Sequence, residues 1–455
     1  MKGLALALRI ARRYLFRRSG GNRRRTISAI AGIALSIVPL VLVLEMADGM
    51  IKGITSRYVE AGTYHLQAYP NRSMELEKLQ EQADRLRGVE GVRSVNVEHR
   101  GVGLLSSAEG RSGVEVRAVP PEIVERDDGF RRYVKVDAGS FDLSSPRQIV
   151  LGRYLADRLA VAPGDEVRLL TVRSLEGGSF LPRVSRFTVS GIVSTGYQEL
   201  DRLWAFLPLE RGFAVLPPEN ADSYVGVKIE HPYALHPSLF GSPLPSLRDH
   251  RAEKNARATV ARVVESLGFD WRVYSWYNLE RSRYISFQTS RNLLLFIMTL
   301  IVIVAAVNVS STLVMLVVEK EQEIAFLRTL GASPNLIQQL FLAAGAIIGV
   351  AGTGVGMVVA TALAINLNEL LLALEGLVNA AAQLVRQVAE PFTQLPPEQI
   401  VLFSEEFYLE RVPISLDPLE LSLLAAAAMA LSLLAAVVPA RRSVRLYPLD
   451  LLRRH

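Results

Sequence analysis

Leu293-Leu-Leu-Phe-Ile-Met-Thr-Leu-Ile-Val-Ile-Val-Ala-Ala-Val-Asn-Val-Ser-Ser-Thr-Leu-Val-Met-Leu-Val-Val318 runs for 26 residues without a charge. A helix needs about 17–25 apolar residues to cross a bilayer, so this run reads as a transmembrane helix. Three further uncharged runs are of comparable length or longer: Thr26–Leu44, Thr329–Asn368 and Leu421–Ala440. Four such runs in a chain of 455 residues, half of them apolar, exclude a purely cytosolic enzyme and a disordered or fibrous protein.

Charge orients the four crossings. Nine Lys or Arg and no acid precede Glu45, and residues 441–455 hold five Arg against one Asp. With a net charge of +6, the stretch between is therefore acidic by seven charges. Basic ends beside apolar runs fit positive-inside topology rather than a nucleic-acid groove, so both termini are expected in the cytoplasm, with no nucleic-acid partner. Residues 27–50 then lead outward, with Pro39 as a kink, 291–318 return, 336–366 lead out again and 419–439 come back. The first run is longer than the roughly 7–15-residue core of a secretory signal and reads as an uncleaved anchor. Residues 1–26 place Leu4, Leu8, Ala11 and Leu15 on one face beside Arg9, Arg13 and Arg17. That is the pattern of a basic amphipathic helix on the inner leaflet. Residues 319–335 form a short inner loop, 367–418 an outer segment that starts as a helical continuation, and 440–455 an inner tail.

Residues 51–290 are too many for a loop and enough for one or two folded modules. Helical periodicity covers Asn71–Gly88 and Ala252–Leu267. Strand-like alternation covers Val92–Val97, Val114–Val119, Ile149–Leu151, Val167–Val172, Arg186–Val193, Trp204–Leu207 and Val225–Ile229. The expected fold is thus membrane α-helical, four transmembrane helices with a large α+β extracytoplasmic domain. Two submodules are expected in that domain, the second inserted at about 120–225.

Catalytic constellations are missing from the sequence. It holds no phosphate-cradling G-x-x-x-x-G-K-[ST], no H-E-x-x-H and no G-x-S-x-G. The absence of cysteine excludes disulfides and thiolate chemistry, and no pair among the six histidines has ligand spacing, so no metal site is expected. His231 and His236 read as surface residues, and Asp127-Asp128 and Glu405-Glu406 as solvated faces. The apolar cores carry no ionisable residue, which leaves an ion or proton relay unsupported. Asn308, with Ser310, Ser311 and Thr312, reads as helix–helix hydrogen bonding. Two G-x-x-x-G steps, Gly345–Gly349 and Gly352–Gly356, read as close helix packing, within the chain or against a second subunit.

The short loop Glu319-Lys-Glu-Gln-Glu-Ile-Ala-Phe-Leu-Arg-Thr-Leu-Gly-Ala-Ser-Pro-Asn335 is the most informative stretch. Gly331 can end a helix at positive φ, Ser333 can cap the next one, and Pro334 suits its first turn. Physically it is either a plain tight connection or a rigid helix that receives force from a partner.

Its pattern, E-K-x-x-x-I-A-x-L-R-T-x-G-A-S, resembles the coupling loop of the LolC/LolE family, the permease subunits of the lipoprotein-releasing ABC transporter within the MacB/FtsX-like superfamily. Leu151-Gly-Arg-Tyr-Leu-Ala-Asp-Arg-Leu159 with Pro163-Gly-Asp-Glu-Val167 resembles the family's outer domain. So does Phe187-Thr-Val-Ser-Gly-Ile-Val193 leading into Gly196-Tyr-Gln-Glu-Leu-Asp201. Val438-Pro-Ala-Arg-Arg442 and Pro448-Leu-Asp-Leu-Leu452 resemble its tail.

The resemblance implies a bacterial inner-membrane complex of two permeases, the same or related chains, and two separate LolD-like ABC ATPases. Those ATPases bind ATP and Mg; this chain binds no cofactor and has no catalytic residue. Its implied work is mechanotransmission. Movement of the ATPases passes through the coupling helix, and a lipoprotein is extracted from the membrane and handed to a LolA-like periplasmic carrier. Extraction costs about 0.8 kcal/mol per CH₂ withdrawn from lipid, so an external energy source is expected. The residues implied for ATPase contact are Glu319, Glu323, Ile324, Leu327, Arg328 and Gly331. A carrier-docking loop is implied at Val172–Ser185, including Phe180, Leu181 and Pro182. The alternatives are an FtsX-like signalling subunit that activates a periplasmic hydrolase and a MacB-like efflux permease.

Overall fold

The computed structural model describes residues 9–15, 22–174, 180–235, 250–389, 414 and 416–444. Its long helices are α1 (Asn22–Arg57), α2 (Leu76–Arg87), α3 (His250–Leu267), α4 (Arg281–Glu319), α5 (Glu321–Thr329), α6 (Pro334–Ile365), α7 (Leu367–Ala389) and α8 (Pro418–Val444). Among the described residues, the helices α1, α4, α6 and α8 are the four that are long and apolar enough to span a membrane. The chain divides into two units, one built on α4, α6, α8 and the first part of α1, the other on Met50–Phe287.

In the helical unit, α6 is central because its small residues let two neighbours approach. A Cβ on Gly345 would collide with that of Ala436 on α8, and one on Gly349 would lie 2.8 Å from the Ser432 Cβ. The second pair faces α1: a Cβ on Gly352 would lie 2.7 Å from the Ile33 Cβ, and one on Gly356 3.0 Å from the Ala34 Cα. Each G-x-x-x-G step thus serves a different partner helix within this chain. Many large apolar residues of α4, among them Phe296, Leu300, Val304 and Val307, stay exposed. That suits a helix surface that meets hydrocarbon, where lipid solvates an apolar side chain as well as protein does. Asn308 corrects its expectation. It lies off the buried stripe Ala305, Val309 and Leu313 and is exposed, so it joins no helix contact within this unit.

The helix at 9–15 also departs from expectation. Its apolar face, Ala11 and Leu15, is buried among Val309, Leu313, Ile337 and Phe341 of α4 and α6. That face is taken by protein and cannot lie on the leaflet; Leu4 and Leu8 fall outside the described residues.

The described residues of the second unit form ten strands: β1 (Leu66–Pro70), β2 (Val92–Ser106), β3 (Arg111–Val119), β4 (Lys135–Gly139), β5 (Gln148–Gly152), β6 (Glu166–Ser174), β7 (Phe180–Ser194), β8 (Trp204–Pro208), β9 (Ala221–Ile229) and β10 (Trp271–Ser275). They run in the order β10-β1-β9-β2-β3-β8-β5-β7-β4, and β6 bridges β7 back to β2. The path β2-β3-β8-β5-β7-β6-β2 is therefore a closed ring, joined through β2 to an open antiparallel sheet. Closure leaves these strands no free edge. The expected insertion at 120–225 differs from this arrangement, because the ring closes only with β2 and β3, which precede that range.

Alternation sorts the ring's side chains. Leu151 faces Ala205 on the inner side, with Leu105, Val167, Leu169 and Phe187, while the neighbouring pair Val150 and Phe206 points to the opposite side. On that opposite side lie Arg117, Trp204 and Phe206, with the Arg117 guanidinium 4.3 Å above the Trp204 ring.

Candidate functional site

The break between α4 and α5 falls at Lys320, whose Nζ donates to Glu323 Oε1 at 2.5 Å. Gly331 ends α5 with φ +93, and the Ala332 N–H donates to the Leu327 carbonyl at 3.0 Å. Ser333 then caps α6: its Oγ accepts from the Leu336 N–H at 3.3 Å, with Pro334 in the first turn. The result is a short rigid helix fixed between two spanning helices. Its root is braced by an Arg25–Glu319 ion pair and by Lys320 lying over the Tyr14 ring at 5.4 Å.

Burial reassigns the faces of α5. Ile324, expected at a partner contact, is 2% exposed and packs into the core of the helical unit with Ile337, Leu340 and Phe341. It anchors α5 and cannot touch a partner. The outward apolar residues are Phe326 and Leu330, 65% and 70% exposed, which the sequence reading passed over. Glu323, Leu327 and Arg328 are half-buried beside them, and Gly331 is exposed.

A second constellation lies where α1 ends in the other unit. After Arg57 the helix widens into a π-helical turn, Tyr58–Thr63, and Tyr64 breaks it with φ 56. The last carbonyls of a helix lack internal partners and carry its negative dipole end. Here side chains from the sheet satisfy them: Lys228 donates to the Glu60 carbonyl, Arg117 to that of Ala61 and Arg100 to that of Gly62, each at 2.6 Å. Arg117 and Glu98 are fully buried and paired through two bonds of 2.8 and 2.9 Å. Burial pushes the Glu98 carboxyl up, but the Arg117 and Arg100 charges outweigh it and hold it at about 2. Asp127 corrects another expectation. It is buried, caps the turn at Phe130 and pairs with Lys228, while only Asp128 is solvated.

The segment Gly196–Asp201 leads from β7 through a tight turn into a short helix, Gln198–Leu203, before β8, and lies against the same helix end. Arg57 Nε donates to the Thr195 carbonyl at 2.8 Å. The Asp201 carboxylate accepts from the Thr195 N–H at 2.8 Å, Thr195 Oγ1 at 2.7 Å and Ser194 Oγ at 2.9 Å. Burial nevertheless pushes its pKa up to about 6.

Residues 26–233 match the family model of the MacB-like periplasmic core domain, and residues 295–448 that of the FtsX-like permease C-terminal region. The lipoprotein-releasing system transmembrane protein LolC of Neisseria meningitidis serogroup B is 27% identical, with 98% of each chain covered. LolC of Xylella fastidiosa is 28% identical over 98% of each chain, and LolE of Haemophilus influenzae 24% over 93% of each. Along nearly its whole length the chain is similar to LolC and LolE, and it matches the MacB-like and FtsX-like models in succession. As expected from the sequence, it joins helices long and apolar enough to span a membrane to a large α+β domain.

Residues 319–335 lie inside the part that matches the FtsX-like model. The helix-end clamp and the Gly196–Asp201 turn lie inside the MacB-like part. The expected docking loop is a hairpin of β6 and β7, whose residues 175–179 fall outside the described ones, as does the Phe180 side chain. Leu181 and Pro182 are exposed at its end. Cross-strand register places Leu104 opposite Leu170, Leu170 opposite Val184 and Val172 opposite Pro182, which makes an outward apolar stripe on the ring. Strand alternation up to Val172 was readable from the sequence. The strand at Val184, expected as loop, and the pairing with Leu104 were not.

Proposed function

We propose that this permease extracts lipoproteins from the inner membrane of a bacterial cell and passes them to a periplasmic carrier, driven by a separate LolD-like ATPase. The membrane topology in this reading is both termini cytoplasmic, α5 on the cytoplasmic side and the strand-rich unit in the periplasm. ATP and Mg²⁺ belong to the partner ATPase, and this chain acts as a non-catalytic lever. A second permease, a copy or a related chain, completes the complex. A LolA-like carrier docks at the β6–β7 hairpin on Leu181, Pro182 and the apolar stripe beside them.

The observation that supports this reading is α5: anchored inward by Ile324, bounded by Lys320 and Gly331, and leaving Phe326 and Leu330 exposed. Apolar residues flanked by charge are the composition of a docking knob, and a helix fixed at both ends moves as a piece. Phe326→Asp with Leu330→Asp should leave membrane insertion intact and abolish ATPase binding and ATP-driven release in proteoliposomes. Full binding and release by that variant would remove α5 as the contact. Depletion in cells should leave lipoproteins in the inner membrane; chained, undivided cells would instead favour FtsX-like signalling.

A further inference from the structure

We propose that Gly196–Asp201 is a force-bearing joint, to which Arg57 of α1 and Arg283 of α4 are tied so that movement of both helices reaches the ring. The inference rests on the transport reading above and names the residues through which the lever pulls.

Arg57 is the last residue of α1, and its guanidinium bridges the helix to the turn. Nη1 donates to the helix's own Gly53 carbonyl at 3.1 Å, while Nε donates to the Thr195 carbonyl. Gly196 sits at φ +68, and a Cβ there would lie 3.3 Å from Arg57 Nη2, so a side chain would be both strained and in the way. Arg283, in the first turn of α4, donates from Nη1 and Nη2 to the Glu199 carboxylate at 3.2–3.3 Å. Its guanidinium lies 4.1 Å from the centre of the Tyr58 ring, and Tyr58 meets Tyr197 edge-to-face at 5.9 Å. Tyr197 OH donates to Glu199 at 2.6 Å and fixes the carboxylate for the arginine.

One six-residue segment, a tight turn and the start of a short helix, therefore takes α1 through its neighbouring backbone and α4 through a side chain. The turn itself cannot yield easily. Three bonds to Asp201 close it, and the Asp201 carbonyl abuts Gly152, where a Cβ would collide with it. Strands β7 and β8 on either side belong to the closed ring, so displacement of the turn displaces the ring. Stability alone does not account for the Arg283–Glu199 pair. Its side chains are 27% and 45% exposed, and ion pairs that exposed contribute little to folding. Their geometry matters more for direction than for strength, since a two-donor arginine fork fixes orientation.

The test uses the whole complex with its ATPase in proteoliposomes and compares Glu199→Gln, Glu199→Arg, Arg283→Glu and the swapped pair Glu199→Arg with Arg283→Glu. Lipoprotein released per ATP hydrolysed should fall about tenfold in the single variants. Basal ATP hydrolysis and the urea midpoint read by tryptophan emission should stay at wild-type values, and the swapped pair should regain most of the release. Unchanged release per ATP in the single variants overturns the joint. So does a release defect that follows the urea midpoint across all four variants, or one that the swap leaves untouched while Glu199→Gln behaves as wild type. If the wild-type complex releases no lipoprotein, the transport reading fails first and the joint goes with it.

Discussion

Arg117→Met removes the centre of the helix-end clamp. The arginine and Glu98 are each fully buried, and Arg117 makes two bonds to the carboxylate and one to the Ala61 carbonyl. Loss of one partner of a buried pair leaves the other charge uncompensated, a cost of about 3–5 kcal/mol. The stacking over Trp204 at 4.3 Å is lost too, worth roughly 1 kcal/mol. A total near 5 kcal/mol, divided by a urea slope of about 2.5 kcal/mol/M, lowers the unfolding midpoint by roughly 2 M.

The assay is direct, because all three tryptophans, Trp204, Trp271 and Trp276, lie in the strand-rich unit and report on it in the detergent-solubilised full chain. The pH dependence supplies a second sign. In the wild type the Glu98 carboxyl is held at about 2, below its ordinary 4.5, so its contribution is complete above 4.5 and drains away as pH falls toward 2. In the variant, burial with only Arg100 left to oppose it raises that carboxyl. The variant should then recover part of its deficit on acidification from about pH 7 to about pH 5. A midpoint shift under about 0.4 M, or a deficit that grows on acidification, would refute the reasoning.

Asp201 should show the opposite slope. Burial raises its pKa from 3.8 to about 6, so its contribution is fullest below 3.8 and falls as pH rises through 6. Asp201→Asn should flatten that part of the stability profile, by at most about 1.4 kcal/mol per pH unit, in the same tryptophan assay. In the helical unit, Gly352→Leu and Gly345→Leu should each cost about 1–3 kcal/mol through overpacking, seen as earlier thermal aggregation in detergent. Gly354→Leu should leave the transition in place, since a Cβ there meets nothing within 4 Å. At the hairpin, Leu181→Asp with Val184→Asp should weaken carrier binding roughly ten- to hundredfold in a pull-down titration, with no change in the urea midpoint, because both residues are already exposed.

The readable parts of the sequence were those that depend on neighbours along the chain. An uncharged run such as Leu293–Val318 needs only its own length to declare a spanning helix. Gly331, Ser333 and Pro334 mark the end of α5 and the start of α6 because capping is a matter of a few consecutive backbone groups. Burial of Ile324 was not readable: within α5 it is one of several apolar knobs, and only packing against Ile337 and Phe341 distinguishes it from Phe326. The face of Ala11 and Leu15 was visible, but amphipathicity says nothing about whether lipid or protein covers it. Asp127 looked like half of a solvated pair because its partner, Lys228, lies on β9, far along the chain. Glu98 and Arg117 carried no signal for the same reason. Charged residues in strands read as outward-facing until the sheet brings a helix end over them. The ring was missed because its closure depends on β6 returning to β2, a pairing that no local alternation announces.

The order in which strands appear during synthesis differs from the order in which they pair. Leu66, near the start of the strand-rich unit, takes its partners from Val227 and Ser275, near the end. At roughly 5–20 residues per second, the ribosome needs tens of seconds to supply them. Until then β1 waits without its strand partners. Its pairing is complete only as α4, which starts at Arg281, is being made. Folding of this chain thus has a vulnerable interval, during which a chaperone able to shield an orphan strand would raise the yield of folded molecules.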